Sequence, residues 1–197
     1  LLEGGLQLLS VSGERFILTV VGKDHPGIVA GIANTLYEYG CNIQELSQTV
    51  LSDEFAMILL FQPTRQIDIQ QLDGSLTECC ETLNVTHTLR AATTAPGLPP
   101  TPPKDKVIIT VIGADKIGIV AAVTKVLADM NINIAELSAA PSYMIHDKPQ
   151  YTMIAGVEVA DDMDMFALKR ALEDCARSLS VEINVQSQEI FNAMHKI

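Results

Sequence analysis

The stretch that decides the fold is TVVGKDHPGIVAGIANTLYEYGCNIQELS at Thr19–Ser47, because the chain contains it twice. Its second copy is TVIGADKIGIVAAVTKVLADMNINIAELS at Thr110–Ser138, and the two copies align without a gap. Of the 29 aligned positions, 14 are identical. Unrelated sequences would share about one position in fifteen to twenty, so the chain carries an internal duplication.

Each repeat predicts the order strand, helix, strand, strand, helix, strand. The continuous apolar runs Phe16–Val21 and Val107–Ile112 are typical of buried central strands. Ile28 and Leu36 belong to the apolar face of the helix that follows, and a hairpin is expected around Ser52–Glu54. The predicted fold class is therefore α+β, with two ferredoxin-like βαββαβ domains, each a four-stranded antiparallel sheet with two helices on one face.

A proline-rich segment separates the repeats. Residues 95–103 contain five of the nine prolines, which lack the amide hydrogen that a sheet or helix interior needs. We interpret the segment as an extended linker, with a proline-rich ligand for a partner domain as the alternative. The predicted organisation is an irregular lead-in at 1–13, domain 1 at 14–91, the linker at 92–105, domain 2 at 106–186 and a C-terminal helix at 187–197.

Composition narrows the classes of function. The 197 residues are 48% hydrophobic, which excludes wholesale disorder, and 13 basic against 24 acidic residues give a net charge of -11. Direct nucleic-acid binding is not expected from such an acidic chain. No apolar run approaches the roughly 20 residues of a membrane helix, and the lead-in does not resemble a signal peptide, so we expect a cytoplasmic protein with no membrane contact.

No metal, cofactor or catalytic site is expected. The cysteines lack metal-ligand spacing and the histidines are isolated in sequence, so reduced, mostly buried thiols are the better interpretation. The cysteines are Cys41, Cys79, Cys80 and Cys175.

The repeated loop between the first strand and the first helix is the candidate site. Turn and cap chemistry explains part of it, because Asp24 would accept hydrogen bonds from the first-turn amides. A ligand explains more: a helix start attracts a carboxylate, Gly27 and Gly118 allow close approach, and Asp24 and Asp115 suit an ammonium group. These features together favour an α-amino acid zwitterion.

Two asparagines complete the predicted site. Asn42 and Asn133 begin the second strand of each repeat, where we expect them beside the loop, offering amide donors and acceptors. The predicted ligand-binding residues are Asp24, His25, Pro26, Gly27, Ile28, Asn42 and Ile43 in the first repeat, and Asp115, Ile117, Gly118, Ile119, Asn133 and Ile134 in the second.

At these residues the chain resembles tandem ACT-domain proteins. The resemblance rests on the strand–Asp-x-x-Gly–helix turn and the later Asn-Ile pair, and it covers roughly Arg15–Leu89 and Lys106–Val185. Two repeats without an attached catalytic domain look most like the glycine cleavage system transcriptional repressor group. That resemblance implies a protein that binds a small amino acid and regulates transcription through a protein partner such as an activator. We expect a homodimer, while the open sheet faces also allow the two repeats to pair within one chain.

The resemblance also implies specific ligand contacts. In serine-binding ACT domains the residue three before the glycine and the asparagine of the Asn-Ile pair hold the ligand. Those positions are Asp24 with Asn42 and Asp115 with Asn133, which implies a ligand of the glycine or serine class. Gly22 and Gly113 stand where some of these domains have a histidine.

Other functions remain open as alternatives. The repeats could be a ligand-free scaffold that only dimerises. An acylphosphatase-like enzyme would need an arginine in the first loop, which neither Gly22–Gly27 nor Gly113–Gly118 contains. An RNA-binding sheet would need stacking aromatics and basic flanks, whereas aromatics make up only 5% of this acidic chain. The longer second hairpin at 142–149 is either a plain hairpin or a lid, and the C-terminal helix either packs or binds a partner.

Overall fold

The computed structural model describes residues 13–92, 105–145, 148–160 and 162–187, without the side chains of residues 105 and 141–149. Nearly all of the predicted lead-in, most of the linker and residues 188–197 of the predicted C-terminal helix lie outside the described residues, whereas Ser187, the first residue of that predicted helix, ends a strand. Residues 146 and 147 of the predicted longer hairpin at 142–149 also lie outside them. The chain divides into two compact units, with the division between Gly97 and Leu98.

Both units contain the predicted βαββαβ order. The elements of the first are β1 (Phe16–Lys23), α1 (Ile28–Glu38), β2 (Cys41–Leu51), β3 (Glu54–Pro63), α2 (Ile69–Thr82) and β4 (Val85–Ala91). Those of the second are β5 (Asp105–Ala114), α3 (Ile119–Asp129), β6 (Asn133–Ile145), β7 (Lys148–Val159), α4 (Met165–Leu179) and β8 (Glu182–Ser187). The strands form two antiparallel sheets in the orders β2-β3-β1-β4 and β6-β7-β5-β8, which confirms the predicted fold class.

One face of each sheet packs against its two helices. Along β1 every second residue is buried, because alternate side chains of a strand point to opposite faces. In the first unit the buried residues Leu18, Ile32 and Leu72 come from β1, α1 and α2 and belong to one core cluster. The second unit has an equivalent cluster that includes Ile109, Val123 and Leu172.

A close contact across the sheet explains the glycine that stands one residue before the end of the first strand in each repeat. A Cβ on Gly22 would lie 2.9 Å from the Cα of Val85, and one on Gly113 would lie 2.7 Å from Cγ1 of Val181. Real Cβ atoms essentially never come so close. A histidine at either position would therefore collide with the last strand of its sheet.

The hairpins of the two units share an irregularity and differ in length. Each edge strand has a register shift of one extra residue, between Ile43 and Glu45 in β2 and between Ile134 and Glu136 in β6, which is a β-bulge. The first hairpin closes at Ser52 and Asp53, both with positive φ, whereas the second still pairs at Ile145 and Lys148.

Candidate functional site

The repeated loop leads into a helix that no side chain caps. Gly27 and Gly118 are the N-cap residues of α1 and α3, with φ of 105° and 98°, and neither helix receives a side-chain cap hydrogen bond. The expectation that Asp24 accepts from the first-turn amides is therefore wrong. The glycine takes the cap position instead, and the Asp24 backbone amide donates to the carbonyl of Asp53, 2.9 Å away.

The other two helices are capped in the ordinary way. Asp68 accepts from the amides of two first-turn residues of α2, and Asp164 does the same for α4. Such a carboxylate satisfies amides that the helix itself leaves without a partner. The chain thus caps α2 and α4 with its own carboxylates and leaves the amides of α1 and α3 without one.

An open pocket of about 460 Å³ lies at the first loop. It includes five of the predicted binding residues, Asp24, His25, Pro26, Gly27 and Ile28, together with Val29, Ala30, Gln48 and Phe55. Gln48 and Phe55 are not among the residues predicted from the sequence. Strand register would have found Phe55, because this residue pairs with Gly22 at the end of β1 and with Val50 on β2.

The tip of the first hairpin holds this loop in place. Besides the Asp24–Asp53 backbone bond, the Lys23 ammonium lies 3.8 Å from carboxylate oxygens of both Asp53 and Glu54. These ion pairs are exposed, so they contribute little stability by themselves. Together with the backbone bond, they connect the hairpin tip to the loop that lines the candidate pocket.

The two asparagines do not lie beside the loop of their own repeat. Along β3, Phe55 is level with Gly22, whereas Gln62 is level with Asn42. Those seven residues of strand correspond to roughly 23 Å. The expectation that Asn42 lies near Asp24 is therefore wrong, because α1 returns the chain along the sheet before β2 begins. Asn133, which pairs with Glu158 while Gly113 pairs with Tyr151, has the same placement.

Each asparagine lines a different pocket. Asn42 contributes to one of about 300 Å³ with Gln62 and Thr64. Asn133 and Ile134 contribute to another of about 550 Å³, beside Thr124 and Lys125 of α3.

The apolar residues of the predicted site divide into core and surface. Ile28 and Ile119 are buried in the two cores, so only their backbone is placed to meet a ligand. Ile43 and Ile134 pack against the cores, whereas Ile117 is fully exposed.

One basic side chain of each loop is bonded to the end of the second helix. In the first repeat His25 Nε2 lies 2.6 Å from the carbonyl oxygen of Leu83, and Nδ1 lies 3.1 Å from that of Pro26. The Leu83 bond, the Pro26 bond and the nearby Asp24 charge raise the pKa of His25 above its ordinary value, against a smaller opposing effect of desolvation. In the second repeat Lys116 Nζ donates to the carbonyl of Leu179 at 2.9 Å.

The described residues offer little else for chemistry. Within them, no group of three or more acidic, histidine or cysteine side chains is arranged to hold a metal, and no helix is long and apolar enough to span a membrane. Burial raises the pKa of the Cys41 and Cys80 thiols to about 11. These two thiols therefore stay protonated at neutral pH and are poor nucleophiles.

Comparisons with known proteins agree with this architecture. The profile of the ACT domain matches residues 14–89 and 105–186. A UPF0237 protein of Methanosarcina acetivorans is 40% identical over 91 residues, which cover 46% of this chain and 94% of that protein. That relative therefore corresponds to about half of the present chain.

Two solved structures match both halves. An unknown protein from Galdieria sulphuraria has a TM-score of 0.75 and 24% identity, covering 88% of this chain and 98% of its own. A protein named provisionally as a glycine cleavage system transcriptional repressor has a TM-score of 0.65 and 20% identity, covering 88% and 96%. At identities of 24% and 20%, the similarity shows that the folds are alike.

Proposed function

Because this chain belongs to the ACT domain family in both of its halves, we propose that it is a non-catalytic regulatory protein that senses a small amino acid. The observation that carries the proposal is the contrast among the four helices of the described residues. α2 and α4 are capped by aspartates, whereas α1 and α3 begin at a glycine without a side-chain cap. The repeated loop thereby keeps amide donors available for an external carboxylate.

The ligand carboxylate binds the first-turn amides of α1. Residues 27–30, which carry these amides, line the pocket, and the helix dipole favours a negative charge there. The space around the position of a Cβ on Gly27 is open to 4 Å, so a ligand reaches the backbone without a steric obstacle. Gly118 has the same open surroundings at α3.

The ligand ammonium group binds near Asp24. This carboxylate lines the same pocket and is exposed. Since it does not cap the helix, its oxygens are available to a cation. Asp115 holds the equivalent position in the second repeat. Gln48 adds an amide group to the first pocket. We take glycine or serine as the ligand class from the resemblance of Asp24 and Asn42 to the contacts made in serine-binding ACT domains.

Asn42 joins such a site only when another ACT domain supplies it. Within one repeat, Asn42 and Asp24 lie at opposite ends of the sheet. We therefore propose that the protein is a homodimer in which a second copy of the chain brings its asparagine to the ligand. The ligand would then stabilise the association, which couples binding to a change that a partner protein can recognise.

The proposed output is transcriptional regulation through a protein partner, without direct DNA contact. The fold likeness to the provisionally named repressor and the net charge of -11 support this indirect route.

Isothermal titration calorimetry of the full chain tests the proposed function. We expect heat of binding with glycine or serine, and none with ethanolamine, which lacks the carboxylate, or with trimethylglycine, which lacks ammonium hydrogens. Asp24→Asn removes the charge that faces the ammonium group and should weaken binding by roughly five- to tenfold. Asp129→Asn is the matched control, because it makes the same chemical change on the exposed end of α3, where the side chain contacts Lys125.

Two results would contradict the sensor. Silence with every amino acid up to millimolar concentration would favour the ligand-free scaffold. Equal weakening by Asp24→Asn and Asp129→Asn would mean that the charge of the whole chain matters and the loop does not.

A further inference from the structure

The bonds of His25 and Lys116 are equivalent interactions made by different chemistry. The two residues occupy the same position in the repeated loops, three residues after Gly22 and Gly113. Their acceptors, Leu83 and Leu179, correspond at the end of the second helix of each repeat, where the last carbonyls lack intrahelical partners. In both units a basic side chain therefore ties the loop to a helix C-terminus, which favours positive charge.

The two bonds of His25 specify the protonation state of its ring. Both of its nitrogens face carbonyl oxygens, of Leu83 and of Pro26, and a carbonyl oxygen only accepts hydrogen bonds. A neutral imidazole carries one N–H group and so satisfies one of these contacts. The imidazolium ion carries two and satisfies both. These two contacts therefore favour the protonated side chain over the neutral one.

We infer that His25 and Lys116 are equivalent positioning residues, and that His25 makes the first loop sensitive to pH near neutrality whereas Lys116 keeps the second loop insensitive. When His25 loses its proton, the ring must give up either the Leu83 carbonyl or the Pro26 carbonyl. Either loss loosens the segment that leads to Gly27 and the first-turn amides. A lysine ammonium ordinarily keeps its proton throughout the range in which histidine titrates.

The surroundings of His25 agree with this inference. Asp24 is the charged neighbour whose field acts on the ring, and it favours the protonated form. From α2 the group that faces the ring is the Leu83 carbonyl, a dipole that also favours a cation. The other titratable residues near that end of α2 are Glu78, Cys79, Cys80 and Glu81; the two carboxylates are exposed and Cys80 is buried.

The direction of the pH effect follows from the raised pKa. A group whose pKa is higher in the folded state stabilises that state below its ordinary pKa, and this stabilisation disappears as the pH rises through the folded value. The hydrogen bonds of His25 therefore stabilise the loop fully below about pH 6.5. This stabilisation is lost as the pH rises through the raised pKa of His25.

Nitrogen–proton NMR spectra of the full chain between pH 5.5 and 8.5 test the inference without any ligand. The amides of Gly27, Ile28 and Val29 should follow one titration with a midpoint above about 6.5. The amides of Gly118, Ile119 and Val120 should stay constant. Exchanging the two residues should exchange the behaviour: His25→Lys should make the first loop constant, and Lys116→His should make the second titrate.

His87→Gln is the matched control, because His87 is a second described histidine and its ring is bonded to Asp73 on α2 instead. It should leave the titration of the first loop intact. A first loop that is constant in the unmodified protein, or that still titrates in His25→Lys, would overturn the inference. Unchanged resonances from the core of each unit would establish that the variants fold.

The consequence for binding rests on the proposed function and is measured separately. Glycine, which remains a zwitterion from pH 6 to 8, should bind the first site about two- to tenfold more weakly at pH 8 than at pH 6. His25→Lys should remove that dependence. If glycine and serine do not bind while the amides titrate as described, the sensor proposal fails and the positioning role stands. If binding occurs and its pH dependence survives in His25→Lys, the positioning role fails alone.

Discussion

Gly27 and Gly118 hold a backbone conformation that other residues adopt only at a cost. Their φ values of 105° and 98° lie in the left-handed region, and a Cβ at either position would meet nothing within 4 Å. Gly27→Ala should therefore lower the free energy of unfolding by about 1–3 kcal/mol through backbone strain alone, as measured by urea denaturation.

Gly74→Ala is the matched comparison for Gly27→Ala. Gly74 lies inside α2, and a Cβ there also meets nothing within 4 Å, but its φ is an ordinary helical one. The substitution should stabilise the protein by about 0.5–1 kcal/mol. Similar effects of the two substitutions would contradict the assignment of strain to the loop glycine.

At the scale of elements, the four helix starts predict unequal roles for four aspartates. Asp68→Ala and Asp164→Ala should each cost about 1 kcal/mol in urea denaturation, because each removes a carboxylate that accepts from two amides. Asp24→Ala and Asp115→Ala make the same change before helices that these residues do not cap. They should alter stability by less than about 0.5 kcal/mol. A loss of about 1 kcal/mol for Asp24→Ala would instead reveal a capping role.

The elements were predictable from sequence, and the site only partly so. Apolar periodicity and the duplication predicted the βαββαβ order, which the two sheets confirm. The position of Asn42 was not predictable from its separation from Asp24 in sequence. The helix α1 runs back along the sheet, so β2 begins at the end opposite the loop. The role of Asp24 was misjudged because an Asp before a helix usually caps it, whereas here a glycine takes that position.

The whole molecule contains two cores built to the same plan. Leu36 and Leu127 occupy the same position in the repeats, and both are completely buried. Leu36→Ala and Leu127→Ala should each cost about 2–5 kcal/mol, since each leaves a cavity in a packed interior. Hydrogen exchange of the full chain should report comparable losses of protection, each in the unit that carries the substitution.

Tyr37→Ala is the control for that comparison, because Tyr37 follows Leu36 on α1 and is 78% exposed. Its effect on hydrogen exchange should be small. If Leu36→Ala were tolerated as well as Tyr37→Ala, the equivalence of the two cores would be refuted.

The unequal hairpins bear on why a duplicated chain would keep both copies. In the first unit the strands end level with the loop, so that Asp53 bonds to Asp24; in the second, β6 and β7 continue past Ala114 to Ile145 and Lys148. The two repeated loops thus have the same backbone conformation at their glycines, whereas the hairpins of the two units differ in length. If the proposed function holds, substitutions in one hairpin change one site and leave the other as it is, which would let a single chain respond to an amino acid over two concentration ranges or distinguish two amino acids.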